Sequence, residues 1–254
     1  MMGRNMMGKS MMAGFIKDPV LHISLKQLSG PRRMTIVTLL AIIPVVITSV
    51  IVGVNGGVPD EFAAPIFGRM FVAAILPIVV MALATAAFGN ELEDKTLSYL
   101  VLKPVSRLRL VLPKYAVTVL MTGPLLVVSG VVVALVAYDA DARTATAVAV
   151  GIAVGVVTYS SIFMWMGLVT TKALGFALFY VFLWEGLLSE FLSGIRFLSV
   201  RAYTVSIMHG IEDINLAELD ELSIRLPVAA VGAGIVTVLF FYLTVRRLRR
   251  MDVP

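Results

Sequence analysis

Six apolar runs, each close to the length that crosses a bilayer, constrain this chain more than anything else in it. About 20 helical residues cover the roughly 30 Å of hydrocarbon. The runs fall near Met34–Val54, Met70–Phe88, Ala116–Tyr138, Ala145–Val169, Ala173–Leu188 and Pro227–Val245. Only Thr170, Thr171 and Lys172 part the fourth run from the fifth, which predicts a tight hairpin, and the fifth run is the shortest. Inside lipid every backbone polar group has to be bonded within the protein, so runs of this kind read as helices. The expectation is an all-α polytopic membrane protein with six transmembrane helices, a single membrane domain over residues 1–254.

Composition agrees: 59% of residues are hydrophobic and 15% charged, against about 25% charged in soluble domains. Spans and short connections use up the 254 residues, leaving no separate soluble domain of about 100 residues. With no cysteine, and with His22 and His209 far apart, neither a thiolate nor a histidine metal site is expected. The net charge of +5 is not a nucleic-acid signal, because the basic residues flank the apolar runs and so report topology. Sixteen of the 21 Lys and Arg fall on one side of the six runs; Arg69, Arg143, Arg196, Arg201 and Arg225 fall on the other. The positive-inside rule then puts both termini and the 89–115 loop in the cytoplasm of a multi-pass plasma (inner) membrane protein.

Gly3–Ser10, GRNMMGKS, matches the phosphate-loop pattern literally. It is rejected, because that loop works only between a strand and a helix that aim its N–H groups at phosphate, and two residues precede Gly3. The region has no apolar core of a cleavable signal, and its clustered methionines leave the translation start open. From Asp18, with Pro19 at the first helical position and Gly30-Pro31 as the stop, a short helix is expected within 17–30, lying along the cytoplasmic face. Pro44, Pro77 and Pro124 inside the first three spans mark kinks. Gly151 and Gly155 are a small-xxx-small pair, expected to serve packing within the bundle first and a dimer contact second.

Glu185 lies 13 residues beyond Lys172, about 20 Å by helical rise. A carboxylate at that depth is costly, which makes it a candidate pathway or gating residue; alternatively Trp184-Glu185-Gly186 begins a helix break and Glu185 bonds nearby backbone. The external segment 189–226 follows, and its part Phe191–Val200 is expected to dip into the membrane.

Gly89–Lys114, GNELEDKTLSYLVLKPVSRLRLVLPK, is the longest charged and patterned connection. Asn90 as a cap and Glu93 three residues later predict a short helix from Glu91, with Leu92, Thr96, Tyr99 and Leu100 on one stripe and a Glu91–Lys95 i,i+4 pair. Lys103-Pro104 ends it.

These residues resemble the cytoplasmic loop of type-2 ABC transporter permeases, the bacterial export-type membrane subunits: Gly89, Glu91, Glu93, Lys95, Thr96, Leu97, Leu100, Pro104, Val105, Ser106, Arg107 and Lys114 match. Lys95 departs where many members carry glycine, with little consequence expected on an exposed helix face. The resemblance implies that Glu91–Leu102 is a coupling helix docking on a separate ABC ATP-binding subunit through Glu91, Glu93, Lys95, Thr96, Tyr99, Leu100, Pro104 and Arg107. It implies that 17–30 is a connecting helix and that the segment after Glu185 forms external re-entrant helices. No catalytic, metal or cofactor-binding residue is implied in this chain; ATP and Mg belong to the partner, and a second permease subunit, the same or related, completes the assembly. A secondary transporter using Glu185 is the alternative, and an intramembrane enzyme finds no motif.

Overall fold

The computed structural model describes residues 19–59, 65–96, 106–137, 142–188, 195–212 and 224–250, and every regular element among them is helical. In chain order these are α1 (Pro19–Leu28), α2 (Pro31–Asn55), a π-helix over Pro65–Ile75, α3 (Leu76–Ala84), α4 (Ala86–Glu93) and α5 (Arg107–Ala137). Then follow α6 (Ala142–Val169), α7 (Ala173–Phe179), a second π-helix over Tyr180–Leu188, a 3₁₀ turn at Ile195–Leu198, α8 (Val200–Ile211) and α9 (Leu226–Arg249).

The N-terminal helix forms as expected. Its start at Pro19 uses a residue whose missing N–H is no loss in a first turn, and the Gly30-Pro31 pair stops it. It packs on α5, with Leu28 buried against Phe88, Val111 and Leu248. Pro31 then opens α2, which closes on Gly56 at φ 75, where the glycine N–H reaches the Val52 carbonyl at 2.8 Å. Only Val37, Ala41, Pro44 and Thr48 of α2 are buried. Their i, i+4, i+7, i+11 spacing is one narrow seam, flanked by the partly buried Met34, Leu40, Val45 and Ile51.

Among the described residues five helices are long and apolar enough to cross a membrane: Pro31–Asn55, Ile66–Ala84, Arg107–Val136, Ala142–Val169 and Leu226–Arg249. The expected sixth is not among these: Ala173–Leu188 is a seven-residue α-helix followed by nine π-helical residues, about 24 Å by helical rise over the described residues. The first π-helix has a visible cause, since it ends just ahead of Pro77, whose ring blocks the regular i→i−4 bond.

α6 is the centre. Its most apolar window is 72% buried, against 22% for α2 and α9, and it packs against α3, α4, α5, α8 and α9. Gly151 and Gly155 are points of close approach within the chain. A Cβ on Gly151 would strike Met208 and the Thr204 carbonyl of α8, and one on Gly155 would strike the Thr204 hydroxyl. The small-residue pair therefore seats α8 against α6.

Two smaller clusters close the ends. Leu28, Phe88, Val111, Leu168 and Leu248 form one at the end where Lys26, Arg107, Lys172 and Arg246–Arg250 gather, here called the basic end. Tyr203, Ile207, Ala229 and Ala233 form the other.

Candidate functional site

At the basic end the structure revises how Gly89–Lys114 is built. Asn90 does not cap a new helix; it lies inside α4, which continues the second span through a bend at Thr85 and runs to Glu93. α4 stops in a Schellman closure: the Thr96 N–H reaches the Glu91 carbonyl at 3.0 Å and the Lys95 N–H reaches that of Leu92 at 3.4 Å. Lys95 is the left-handed residue of that closure, at φ 55. The expectation of an exposed helix face for Lys95 is thus wrong, and so is the single stripe joining Leu92 to Thr96 and beyond. Capping residues and closing residues share the same small, polar vocabulary, so Asn90-Glu91-Leu92-Glu93 reads either way until the preceding span is known to continue.

Glycine adopts this conformation freely, whereas a side chain costs about 1 kcal/mol there. Lys95→Gly is therefore expected to stabilise the α4 end by about that amount, read as a higher denaturation midpoint in detergent. An unchanged or lower midpoint would show that the loop does not hold Lys95 in this region.

Inside the closure sits a buried ion pair. Glu91 is 8% exposed and Lys114 2%. Lys114 Nζ donates to Glu91 Oε1 at 2.6 Å and to the Ala87 carbonyl at 2.5 Å, with Gln27 Oε1 of α1 at 3.5 Å and the Phe88 ring centroid at 4.7 Å. The partner of Glu91 is thus on α5, 23 residues away, and not the Lys95 expected from i,i+4 spacing. Lys114 is reachable because α5 begins at Arg107, so that the lysine stands two turns inside a helix where the sequence suggested a loop. Three elements, α1, α4 and α5, meet on this one ammonium.

Glu93, Lys95 and Thr96 are exposed and Arg107 is half-buried at the start of α5. Glu93 and Asn90 border a cleft of about 490 Å³ whose other walls include Arg32, Arg33 and Leu174. Tyr99, Leu100 and Pro104, with the remainder of the Glu91–Leu102 segment, lie outside the described residues.

Glu185 is the second candidate, at the opposite side of the bundle, and it is 1% exposed. Its carboxylate accepts from the Ser199 hydroxyl at 2.5 Å, the Val200 N–H at 2.9 Å, the Tyr180 hydroxyl at 3.0 Å and the Arg201 N–H at 3.2 Å. Two of these donors are the first free amides of α8, and Ser199 is its N-cap, accepting from Ala202 N–H at 3.1 Å. A helix N-terminus carries partial positive charge and unpaired donors, and Glu185 meets both. The π-helical winding of Tyr180–Leu188 is what turns Glu185 toward α8. The carboxylate joins the end of the short fifth segment to a helix that is buried along Val200–Met208.

The resemblance implied helices after Glu185, but the residues themselves were not read for the start of α8 at Ser199. Its signal was present: Ser199 followed by an unbroken helical run to Ile211 is an N-cap start. The surrounding apolar and acidic residues of 189–226 obscured it.

Over residues 31–189, more than half of its length, the chain matches a family described as ABC-2 family transporter protein. The match takes in α2 through the second π-helix, including Glu91, Lys114 and Glu185. No curated protein matches the chain.

Proposed function

This chain belongs to the ABC-2 family of transporter proteins and is a multi-pass membrane component of an ABC transporter, and from that premise we propose that it is the permease subunit of an ATP-driven exporter. ATP and Mg are handled by a separate ATP-binding subunit, a second permease subunit completes the pathway, and the basic end faces the cytoplasm of an inner-membrane system. The orientation follows the charge asymmetry described above.

The observation that carries the reading is the construction around Lys114. A partner that closes on ATP shifts a membrane bundle only through an element stiff enough to pass on the difference between its two states. Glu91, Lys114 and Gln27 tie the end of α4 to α5 and α1, so a push on the segment after Glu93 is delivered to three helices at once. Glu93, Lys95 and Thr96, exposed at the closure, are the outward part of this element, and Tyr99, Leu100, Pro104 and Arg107 are the further residues assigned to docking on the ATP-binding subunit.

Glu185 supports a latch more than an ion carrier. A carrier carboxylate exchanges its ligand during each cycle, whereas this one is occupied by four donors, two of them fixed backbone amides. The latch reading makes α8 part of the external gate.

The test spares the buried pair. In the complex with its ATP-binding subunit, Glu93→Lys combined with Tyr99→Ala and Leu100→Ala is expected to lower transport-coupled ATPase activity several-fold while the denaturation midpoint of this subunit stays put. Full coupling in that variant counts against a docking role for the segment.

A further inference from the structure

The seam between α6 and α9 ends in a feature that transport coupling does not use. Trp165, Leu243, Arg246, Arg247 and Arg250 line a cavity of about 350 Å³ at the basic end. Deeper along the same two helices runs an apolar groove of about 480 Å³, walled by Val150, Val154, Thr158, Gly234 and Val238 and closed by Ile207 of α8. Thr237 and Thr158 meet at 3.3 Å and fix the register between α6 and α9. Trp165 lies seven residues past Thr158, about 10 Å toward the basic end.

We propose that this seam is a binding site for one anionic phospholipid, its phosphate on Arg246, Arg247 and Arg250 and an acyl chain in the groove. Among the described residues none of these three arginines has an ion pair. With Arg249 they make four like charges within five residues, which repel one another, and a phosphate accepting N–H groups from the three that line the cavity relieves this. Trp165, held edge-on against Phe240 with centroids 5.4 Å apart, stands beside them as an amphipathic ring of the kind that marks headgroup level. Basic pockets between helices on the cytoplasmic side are the chemistry by which membrane proteins hold anionic headgroups. Charge also argues against a second copy here: a two-fold contact across this seam sets the same arginines near one another.

The site is testable without transport. In the full chain carrying Trp184→Phe, Trp165 is the remaining tryptophan, and its fluorescence is read in nanodiscs of phosphatidylcholine containing increasing brominated phosphatidylglycerol or, separately, brominated phosphatidylcholine. The expected result is quenching by the anionic lipid at roughly ten-fold lower mole fraction, the equivalent of about 1.4 kcal/mol of preference for the anionic headgroup. Arg246→Gln, Arg247→Gln and Arg250→Gln together are expected to abolish that preference. Gly234→Leu, whose added side chain enters open space in the groove, is expected to weaken quenching by both lipids.

Equal quenching by the two lipids in the parent, or a preference that survives the triple substitution, overturns the proposal. So does protection of Trp165 from both lipids, the sign of a second copy or another protein on the seam. Full displacement of the brominated lipid by millimolar glycerol 3-phosphate would reassign the site to free phosphate compounds and remove the acyl groove from it.

Discussion

Lys114→Ala is expected to lower the stability of the bundle by about 3–5 kcal/mol, the usual cost of stranding one member of a buried ion pair. The reason is local. With the ammonium gone, Glu91 keeps a carboxylate that is 8% exposed, and its Oε2 already has no hydrogen-bond partner among the described residues. Glu91→Ala is expected to cost a similar amount by leaving Lys114 charged and 2% exposed beside Phe88. The informative variant removes both. Glu91→Leu with Lys114→Met exchanges the pair for apolar groups of comparable volume, and most of the loss is expected to return, since such replacements are often near neutral. Denaturation midpoints of Glu91→Leu, Lys114→Met and their combination in nanodiscs form a double-mutant cycle. Additive losses would mean that the two side chains do not meet.

That cycle separates packing from coupling. Should the apolar pair restore stability while transport-coupled ATPase activity stays low, the ionic contact itself carries the motion. Restoration of both assigns the task to the shape of the α1–α4–α5 junction.

The second large effect is expected at Glu185. Glu185→Ala removes the acceptor for the Val200 and Arg201 amides and the Tyr180 and Ser199 hydroxyls. The hydroxyls can turn toward other acceptors, but the two amides cannot, and each buried unsatisfied donor costs about 1–3 kcal/mol. A total of about 3–5 kcal/mol follows, concentrated at the start of α8. Glu185→Gln is expected to lose less, roughly half, because one amide oxygen still accepts while the NH₂ faces a backbone N–H. Hydrogen exchange locates the damage: Val200 and Arg201 amides are expected to exchange many times faster in the alanine variant, with α2 and α5 little changed. Exchange that rises evenly over the molecule would show that Glu185 supports the bundle generally and is no latch on α8.

How far the fold was legible depended on the range of the interaction that decides each element. Local signals read correctly: Pro19 and the Gly30-Pro31 stop bounded α1, and continuous apolar length located α2, α3, α5, α6 and α9. Errors arose where one local pattern serves two purposes. Asn90 and Glu93 have the spacing of a helix start, yet the backbone of Glu91 to Thr96 forms a helix end, because the second span carries its hydrogen bonding past Gly89. Apolar length alone also cannot report winding, and about half of Ala173–Leu188 is π-helical. The Lys114–Glu91 and Glu185–Val200 contacts, 23 and 15 residues apart, lie beyond any periodic pattern. Only the cost of burying their charge hinted that partners existed, and for Glu185 both the functional and the backbone-bonding reading stood open until the donors were seen.

The central position of α6 has a consequence for biogenesis. α3, α4 and α5 reach it before the chain does: they leave the ribosome first, yet much of the surface they bury is against α6. Membrane helices insert one by one and associate afterwards, so the early spans remain a loose set in lipid, with Gly151 and Gly155 not yet present to seat anything. Assembly is committed late, when residue 169 has entered the bilayer and α8 can fold down onto it. A chain truncated before α6 lacks the helix against which α3, α4 and α5 pack.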